Sequence, residues 1–239
     1  DLSLRTKGIL ESTALASKRV AIIGLGSGGS LGAIDLAKCG VGHFTLVDFD
    51  RLKAHNVSRH ACGLKDVGRF KTLAVRDAIL ERNPLAQVDC HDVDICKELE
   101  MLRQIVEGSD LIFAATDTEL SKYLINETCL AVGKPAIYGG AYERAFAGEI
   151  IRVIPGETGC YACFRMGMAE SMPSADDQTV DYTVVDDSDL RAEPGLGVDI
   201  GAIALLQVKM ALLTLLRGTG SSLEDIDADM IIWVNYARQ

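Results

Sequence analysis

Gly24, Gly26 and Gly29 stand in the spacing G-x-G-x-x-G, within the stretch GLGSGGS at 24–30 that also contains Gly28. Glycine at such positions allows a tight turn and close approach of the backbone to a phosphate. Asp48 follows at the distance, about 20 residues on, where an acid hydrogen-bonds a ribose. Together these residues could hold a nucleotide. Holding it requires particular elements around them. The apolar run Val20 to Ile23 reads as a buried parallel strand. Ser30 to Cys39 reads as a helix, whose N-terminus would aim free N–H groups and a positive dipole end at the phosphate. His43 to Val47 reads as a second strand that delivers Asp48. The glycine spacing alone is weak. The whole strand–glycine–helix–strand–acid unit points to a nucleotide site rather than a structural turn.

The polar residues that follow narrow the chemistry. They are Asp50, then NVSRH at 56–60, then GRFK at 68–71, and later Asp117, Lys122 and Asn126. The side-chain amide of Asn56 can donate to a phosphate oxygen. Asp50 could be a direct ligand or only stabilise its loop. Arg59 or Lys71 taken singly would be a solvated surface charge, and Asp117 taken singly would cap the helix expected near Leu120. An oxidoreductase using a nicotinamide dinucleotide would share the glycine loop and Asp48. It would leave Arg59 and Lys71 without a task, and nothing after Gly140 reads as a hydride-transfer domain.

Beyond Asp48, the stretch Arg51 to Gly68 has no period and is longer than an ordinary strand–helix connection, as a functional loop would be. Helices are expected at Phe70–Arg82, at Asp94–Glu107 with Leu99, Leu102 and Ile105 inward, and at Leu120–Val132, closed by Gly133 and Pro135. Strands are expected at Ala86–His91, Leu111–Ala115 and Ala136–Tyr138. Asp117 then stands at the carboxyl end of a parallel strand, where sheets of this kind place ligands. Gly148–Ile154 and Met230–Tyr236 read as strands of an antiparallel extension. Leu4–Ser17 reads as a helical lead-in, Met172–Asp189 as a mobile loop, and Asp199–Leu216 as a long helix. The fold class expected is α/β: a Rossmann-like, doubly wound, mostly parallel sheet with an antiparallel C-terminal extension. We expect one domain over residues 1–239, with a nucleotide-binding part at about 18–140 and the rest at about 141–239. The sequence begins at Asp1 without methionine, as a piece of a longer protein would.

A net charge of −10 argues against a nucleic-acid binder, whose partner needs basic patches. No uninterrupted apolar run reaches the roughly 18 residues of a membrane span, since Gln207 and Lys209 break the best candidate at Ile200–Leu216. No signal peptide is read. Seven scattered cysteines fit a reducing, cytoplasmic setting better than a disulfide framework.

The motifs GLGSGGS, DFD at 48–50, NVSRH, GRFK, and Asp117 with Asn126 downstream resemble the ThiF/MoeB family, the adenylating domain of ubiquitin-activating enzymes. PGETGCYAC at 155–163 and the glycine-rich lead into the last long helix extend the resemblance over nearly the whole chain. It implies an adenylyltransferase that uses ATP and Mg²⁺ to activate the C-terminal carboxylate of a small ubiquitin-like or sulfur-carrier protein. Gly24, Gly26, Gly28, Gly29, Asp48, Asp50, Asn56, Arg59, Lys71 and Lys122 would bind the nucleotide. Arg59, Lys71 and Asp117 would be catalytic, with Asp117 holding Mg²⁺. Lys122 stands where the family usually has arginine, and His60 where it has glutamine. An N-terminal arginine from the other subunit often completes the site, and Arg5 is the nearest candidate. Cys160 and Cys163 match the family's first zinc pair, but tetrahedral zinc needs four ligands and no cysteine follows Cys163. The loop from Arg165 to Gly195 has no cysteine for a thioester. A homodimer is implied, with a fused or separate conjugating-enzyme or sulfur-transfer partner. Adenylation of a peptide or tRNA-base carboxylate, and a non-catalytic partner subunit of this fold, stay open.

Overall fold

The computed structural model describes residues 12–142, 145–169 and 195–235. The elements run α1 (Ser12–Leu15), β1 (Arg19–Ile23), α2 (Ser27–Lys38), β2 (His43–Val47), α3 (Lys71–Arg82), β3 (Gln87–His91), α4 (Leu99–Glu107), β4 (Leu111–Ala114), α5 (Glu119–Val132), β5 (Ala136–Ala141), β6 (Ala147–Val153), α6 (Tyr161–Ala169), α7 (Gly197–Leu215) and β7 (Met230–Val234). One sheet has the order β3-β2-β1-β4-β5-β6-β7. The first five strands are parallel and β6 and β7 join antiparallel, as expected. Burial on both faces explains the uninterrupted apolar runs of β1 and β4. Ile22, Leu46 and Phe113 pack one face against Leu36, Val75 and Met210 from α2, α3 and α7. Ala21, Ile23 and Ile112 pack the other against Leu102, Ile125 and Tyr161 from α4, α5 and α6.

The register sets the level of the site. Ile23 pairs with both Val47 and Ala114, and Ala114 with Tyr138. Gly24, Asp48 and Ala115 therefore leave their strands at one level along the carboxyl edge, level with Gly139 inside the longer β5. Strand order reverses between β1 and β4, and the crevice of a doubly wound sheet opens at such a reversal.

Several expectations need correcting. The first crossover helix starts at Ser27, not Ser30, which places Gly28 and Gly29 in its first turn. The Asp94–Glu107 helix is shorter. The Asp94 carboxylate accepts from the Cys96 N–H and shapes a turn, and α4 begins only at Leu99. Leu99 is 53% exposed rather than inward, and Leu102, Ile105 and Val106 form the buried face. Helix α6 was not expected from the sequence. The long apolar helix runs 19 residues from Gly197, so length and composition alone would let it cross a membrane. It instead packs on α2, β5 and β6. Gln207, which interrupts its apolar run, is 2% exposed and donates to the Ala114 and Ile137 carbonyls, at 2.9 Å each, tying β4 to β5. Arg5, the Met172–Asp189 loop and Tyr236 lie outside the described residues.

Candidate active site

The glycines of the β1–α2 turn divide by task. Gly24 has φ +88, which favours glycine, and a Cβ there would meet the Ala115 carbonyl at 2.7 Å. A Cβ at Gly29 would collide with the Gly24 carbonyl. These two are glycines because the turn must close on itself and on β4. A Cβ at Gly26 or Gly28 would meet nothing within 4 Å. Their missing side chains leave open space above the first turn of α2, the shape of a cradle for a group that approaches backbone N–H.

The turn is clamped from both sides. The Leu25 N–H donates to Asp48 Oδ2 at 2.7 Å, and His60 Nε2 lies 2.9 Å from the Leu25 carbonyl. Asp48 Oδ1 accepts from the Asp50 N–H at 2.8 Å. Lys71, the first residue of α3, is 8% exposed and lies 2.8 Å from Asp50 Oδ2 and 3.7 Å from Asp48 Oδ1. Burial raises the Asp48 carboxyl above its ordinary value, and Lys71 and the two N–H donors offset part of that rise. Lys71 is thus a buried cation held by two acids, not a surface charge. Asp50 has at least a loop-stabilising role, through Lys71.

The 51–68 loop carries two short 3₁₀ turns, Ala54–Asn56 and Leu64–Asp66. Asn56 Oδ1 accepts from the Lys53 N–H at 2.9 Å, which commits the oxygen to the turn and leaves donation to the amide nitrogen. Arg59 lies against the start of α7: a Cβ at Gly197 would come 3.3 Å from its Cα, and one at Gly195 3.7 Å from a guanidinium nitrogen. His60 is 8% exposed, and its Nδ1 accepts from the Cys62 N–H at 3.0 Å. With Nε2 donating to Leu25, the ring is the neutral tautomer. Burial lowers the His60 pKa, outweighing its bond to the Leu25 carbonyl, which raises it; Lys71 lowers it further and Asp66 raises it. The sequence marks His60 only as a polar ring able to hydrogen-bond. Its task as a clamp on the glycine turn spans 35 residues.

On the β4 side, Thr118 caps α5 by accepting from the Ser121 N–H. Asp117 is therefore not the cap that its position suggested; it is exposed, one residue ahead of it. The buried Ser121 hydroxyl bonds with the hydroxyls of Thr116, at 2.7 Å, and Thr118, at 2.8 Å, and so fixes both neighbours of Asp117. Further along, Lys122 is 6% exposed, with Glu119 Oε1 at 3.5 Å. Behind it the buried Glu149 accepts from Tyr142 at 2.7 Å and from Arg165 at 3.2 Å. Arg165 also pairs with Glu119 at 3.5 Å. Sequence reasoning missed this network. A glutamate inside the apolar run of β6 was its one signal. Asn126 is engaged structurally: its oxygen accepts from the Tyr161 N–H at 2.9 Å and anchors α6 to α5.

Cys160 and Cys163 have their sulfurs 3.3 Å apart at the start of α6. Burial raises the Cys160 thiol, but hydrogen bonds from Cys163, Asn126 and the Ala162 N–H outweigh it and leave the thiol lowered. Among the described residues no group of three or more acidic, histidine or cysteine side chains could hold a metal, so no described side chain joins these two thiols as a further ligand. A cavity of about 300 Å³ beside Arg152, Glu157 and Asp225 lies away from the carboxyl edge, and Arg152 is committed there to Asp225 and Asp229.

The crevice therefore gathers a glycine cradle, the clamped carboxylate of Asp48, a buried lysine and an exposed aspartate at one strand-order reversal. Residues 3–232 match the ThiF family. The chain belongs to the ThiF family. It is 31% identical over 173 residues to ubiquitin-like modifier-activating enzyme 5 of Dictyostelium discoideum, an alignment spanning 68% of this chain and 45% of that protein. It is 35% identical over 138 residues to the probable adenylyltransferase/sulfurtransferase MoeZ of Mycobacterium tuberculosis, spanning 56% and 34%. The chain thus spans less than half the length of either relative. Among solved structures, E. coli MccB with ATP superposes with a TM-score of 0.68 at 21% identity, over 85% of this chain and 57% of that one. PaaA superposes at 0.71 and 20% identity, over 94% and 62%. At such identities the likeness supports the fold alone.

Proposed function

We propose that this chain adenylates a carboxylate, using ATP and releasing pyrophosphate. The observation that carries this reading is the open cradle over Gly26 and Gly28, with Asp48 and Lys71 on one side and Asp117 on the other. The ribose hydroxyls bond Asp48, whose two oxygens keep acceptor capacity beside their N–H donors. The α2 N-terminus receives phosphate oxygens. A carboxylate oxygen attacks the α-phosphorus, the bond to the bridging oxygen breaks, and pyrophosphate leaves with the electron pair. Arg59, Lys71 and the Asn56 amide offset charge on the departing phosphates. Asp117 suits Mg²⁺, which is bound by one or two carboxylates plus substrate phosphates and neutralises their charge. Asp117 is not consumed as a helix cap, and Ser121 fixes the residues on either side of it.

The activated group is, in this reading, the C-terminal carboxylate of a small ubiquitin-like or sulfur-carrier protein. The relatives named as a ubiquitin-like modifier-activating enzyme and as an adenylyltransferase/sulfurtransferase support it. With no cysteine between 165 and 195, the acyl group passes to a conjugating-enzyme or sulfur-transfer partner, fused or separate. Seven unpaired cysteines favour the cytoplasm. Val198, 78% exposed, and Leu205, 55% exposed, lie seven residues apart on α7 and offer an apolar face to a second copy. ATP–pyrophosphate exchange dependent on the carrier tests the activity. Background exchange with the genuine carrier and Mg²⁺ would overturn it, and tight NAD binding with none of ATP in calorimetry would replace it with a dehydrogenase.

A further inference from the structure

The reaction needs a second anion site, for the carboxylate that attacks. In an in-line displacement the incoming and departing oxygens lie on opposite sides of phosphorus. Of the cations assigned to the departing phosphates, Lys71 stands at the start of α3 on the β2 side of the cradle, while Arg59, from the loop after β2, reaches the start of α7. The carboxylate then arrives opposite Lys71, across β4 and β5. The sheet order puts Lys122 there, one turn into α5 beyond Asp117.

Lys122 is suited to this task and poorly suited to the nucleotide. Its side chain is 8% exposed, yet its single ion-pair partner among the described residues is Glu119, at 3.5 Å. Glu119 is divided: it also accepts from Tyr161 at 3.0 Å and pairs with Arg165 at 3.5 Å. An ammonium group has three donors, so Lys122 retains donor capacity that Glu119 does not fill. The floor beside it has no side chain. A Cβ at Gly140 would stand 3.3 Å from Lys122 Nζ and 3.4 Å from Glu149 Oε1. Gly139 is bare because Gln207 occupies the place of its Cβ. A chain ending in a carboxylate finds a cation beside the bare Gly140, whereas one ending in an amide gives up the charge pairing.

We propose that Lys122 receives the substrate's carboxylate, in place of a role in nucleotide binding, and that Glu119 is the resident counter-ion which the substrate displaces. The proposal rests on the adenylation reading above and adds where the second substrate enters.

The test uses the full chain with lysine labelled at ¹³Cε and amides at ¹⁵N, Mg–AMPCPP as nucleotide probe and glycylglycine as carboxylate probe. The Lys71 signal should move with Mg–AMPCPP. If it does not, and calorimetry also shows no nucleotide binding, the adenylation reading itself fails. With nucleotide bound, the Lys122 signal and the Gly139 and Gly140 amides should move with glycylglycine and not with glycylglycinamide. Lys122→Met, which keeps the buried stem, should weaken glycylglycine at least tenfold and change Mg–AMPCPP affinity less than twofold. Glu119→Gln should strengthen glycylglycine several-fold. The proposal is overturned if glycylglycine leaves Lys122 unmoved or moves Lys71 instead. It is equally overturned if Lys122→Met weakens the nucleotide and spares glycylglycine, or if Glu119→Gln leaves carboxylate affinity unchanged.

Discussion

The two flanks of the cradle are built differently. On the β2 side the polar groups are already engaged: Leu25 is held through both its N–H and its carbonyl, and Lys71 by two acids. On the β4–β5 side Asp117 is exposed, and the one ion pair of Lys122 among the described residues, to Glu119, is long at 3.5 Å. The first flank is preorganised, so its geometry costs nothing further when a ligand arrives. The second has charges left over for the reacting groups. Substitutions on the first flank should therefore disturb stability together with binding, and those on the second should spare the fold.

Asp117→Ala gives the largest contrast. Pyrophosphate exchange should fall by orders of magnitude while the melting temperature holds, because Thr118 and not Asp117 caps α5. Affinity for the nucleotide, still held by Asp48 and the cradle, should fall less. Near-normal exchange in this variant would show that the open flank is not the metal-binding one.

Arg59→Ala and Lys71→Ala come next. Each should cost roughly a hundredfold in exchange, about 3 kcal/mol of transition-state stabilisation. The double variant should lose less than the sum, since both residues act on one charge. They should differ in denaturant unfolding. Lys71→Ala leaves the Asp48 carboxylate buried without its cation and should lose about 2 kcal/mol of stability. Equal stability of Lys71→Ala and wild type would mean that the acids do not depend on it.

The glycines sharpen the comparison within one turn. Gly28→Ala, pointing into open space in the first turn of α2, should keep or slightly raise stability, since alanine favours helix by up to about 1 kcal/mol. It should weaken Mg–AMPCPP roughly tenfold by filling the cradle. Gly29→Ala should destabilise the protein before any ligand is added, because its Cβ meets the Gly24 carbonyl. Thermal melts and calorimetry of the pair read this directly, and an unaltered affinity in Gly28→Ala would remove the phosphate from that position.

The smallest effect concerns pH. His60 is neutral when folded, with its pKa below the ordinary value. Its contribution to stability is present above the unfolded value of about 6.5 and is lost as pH falls through the folded value. Protonation also turns Nδ1 into a donor facing the Cys62 N–H. Stability and nucleotide affinity should decline on acidification below about pH 6.5, and His60→Gln should flatten that decline. An identical pH profile in the variant would assign the loss to other groups.

The sequence by itself determined the parallel core, the glycine turn and the acid at 48. These depend on local conformation and on apolar runs long enough to be buried on both faces, and such features are written in neighbouring residues. It also placed Asp117 at the carboxyl end of a strand. Only the tertiary structure decided what each charge faces. Lys71, which taken singly reads as a solvated cation, is buried, because Asp48 and Asp50 close over it from the end of β2. His60 holds Leu25 across 35 residues, and Gln207 binds two strand carbonyls across 93 and 70. Lys122 reads from the sequence as one more cation and is buried, beside Glu119 and Gly140. Pairings across such distances leave no period or spacing in the chain, because they depend on which strand lies beside which, and the packing of the whole sheet settles that.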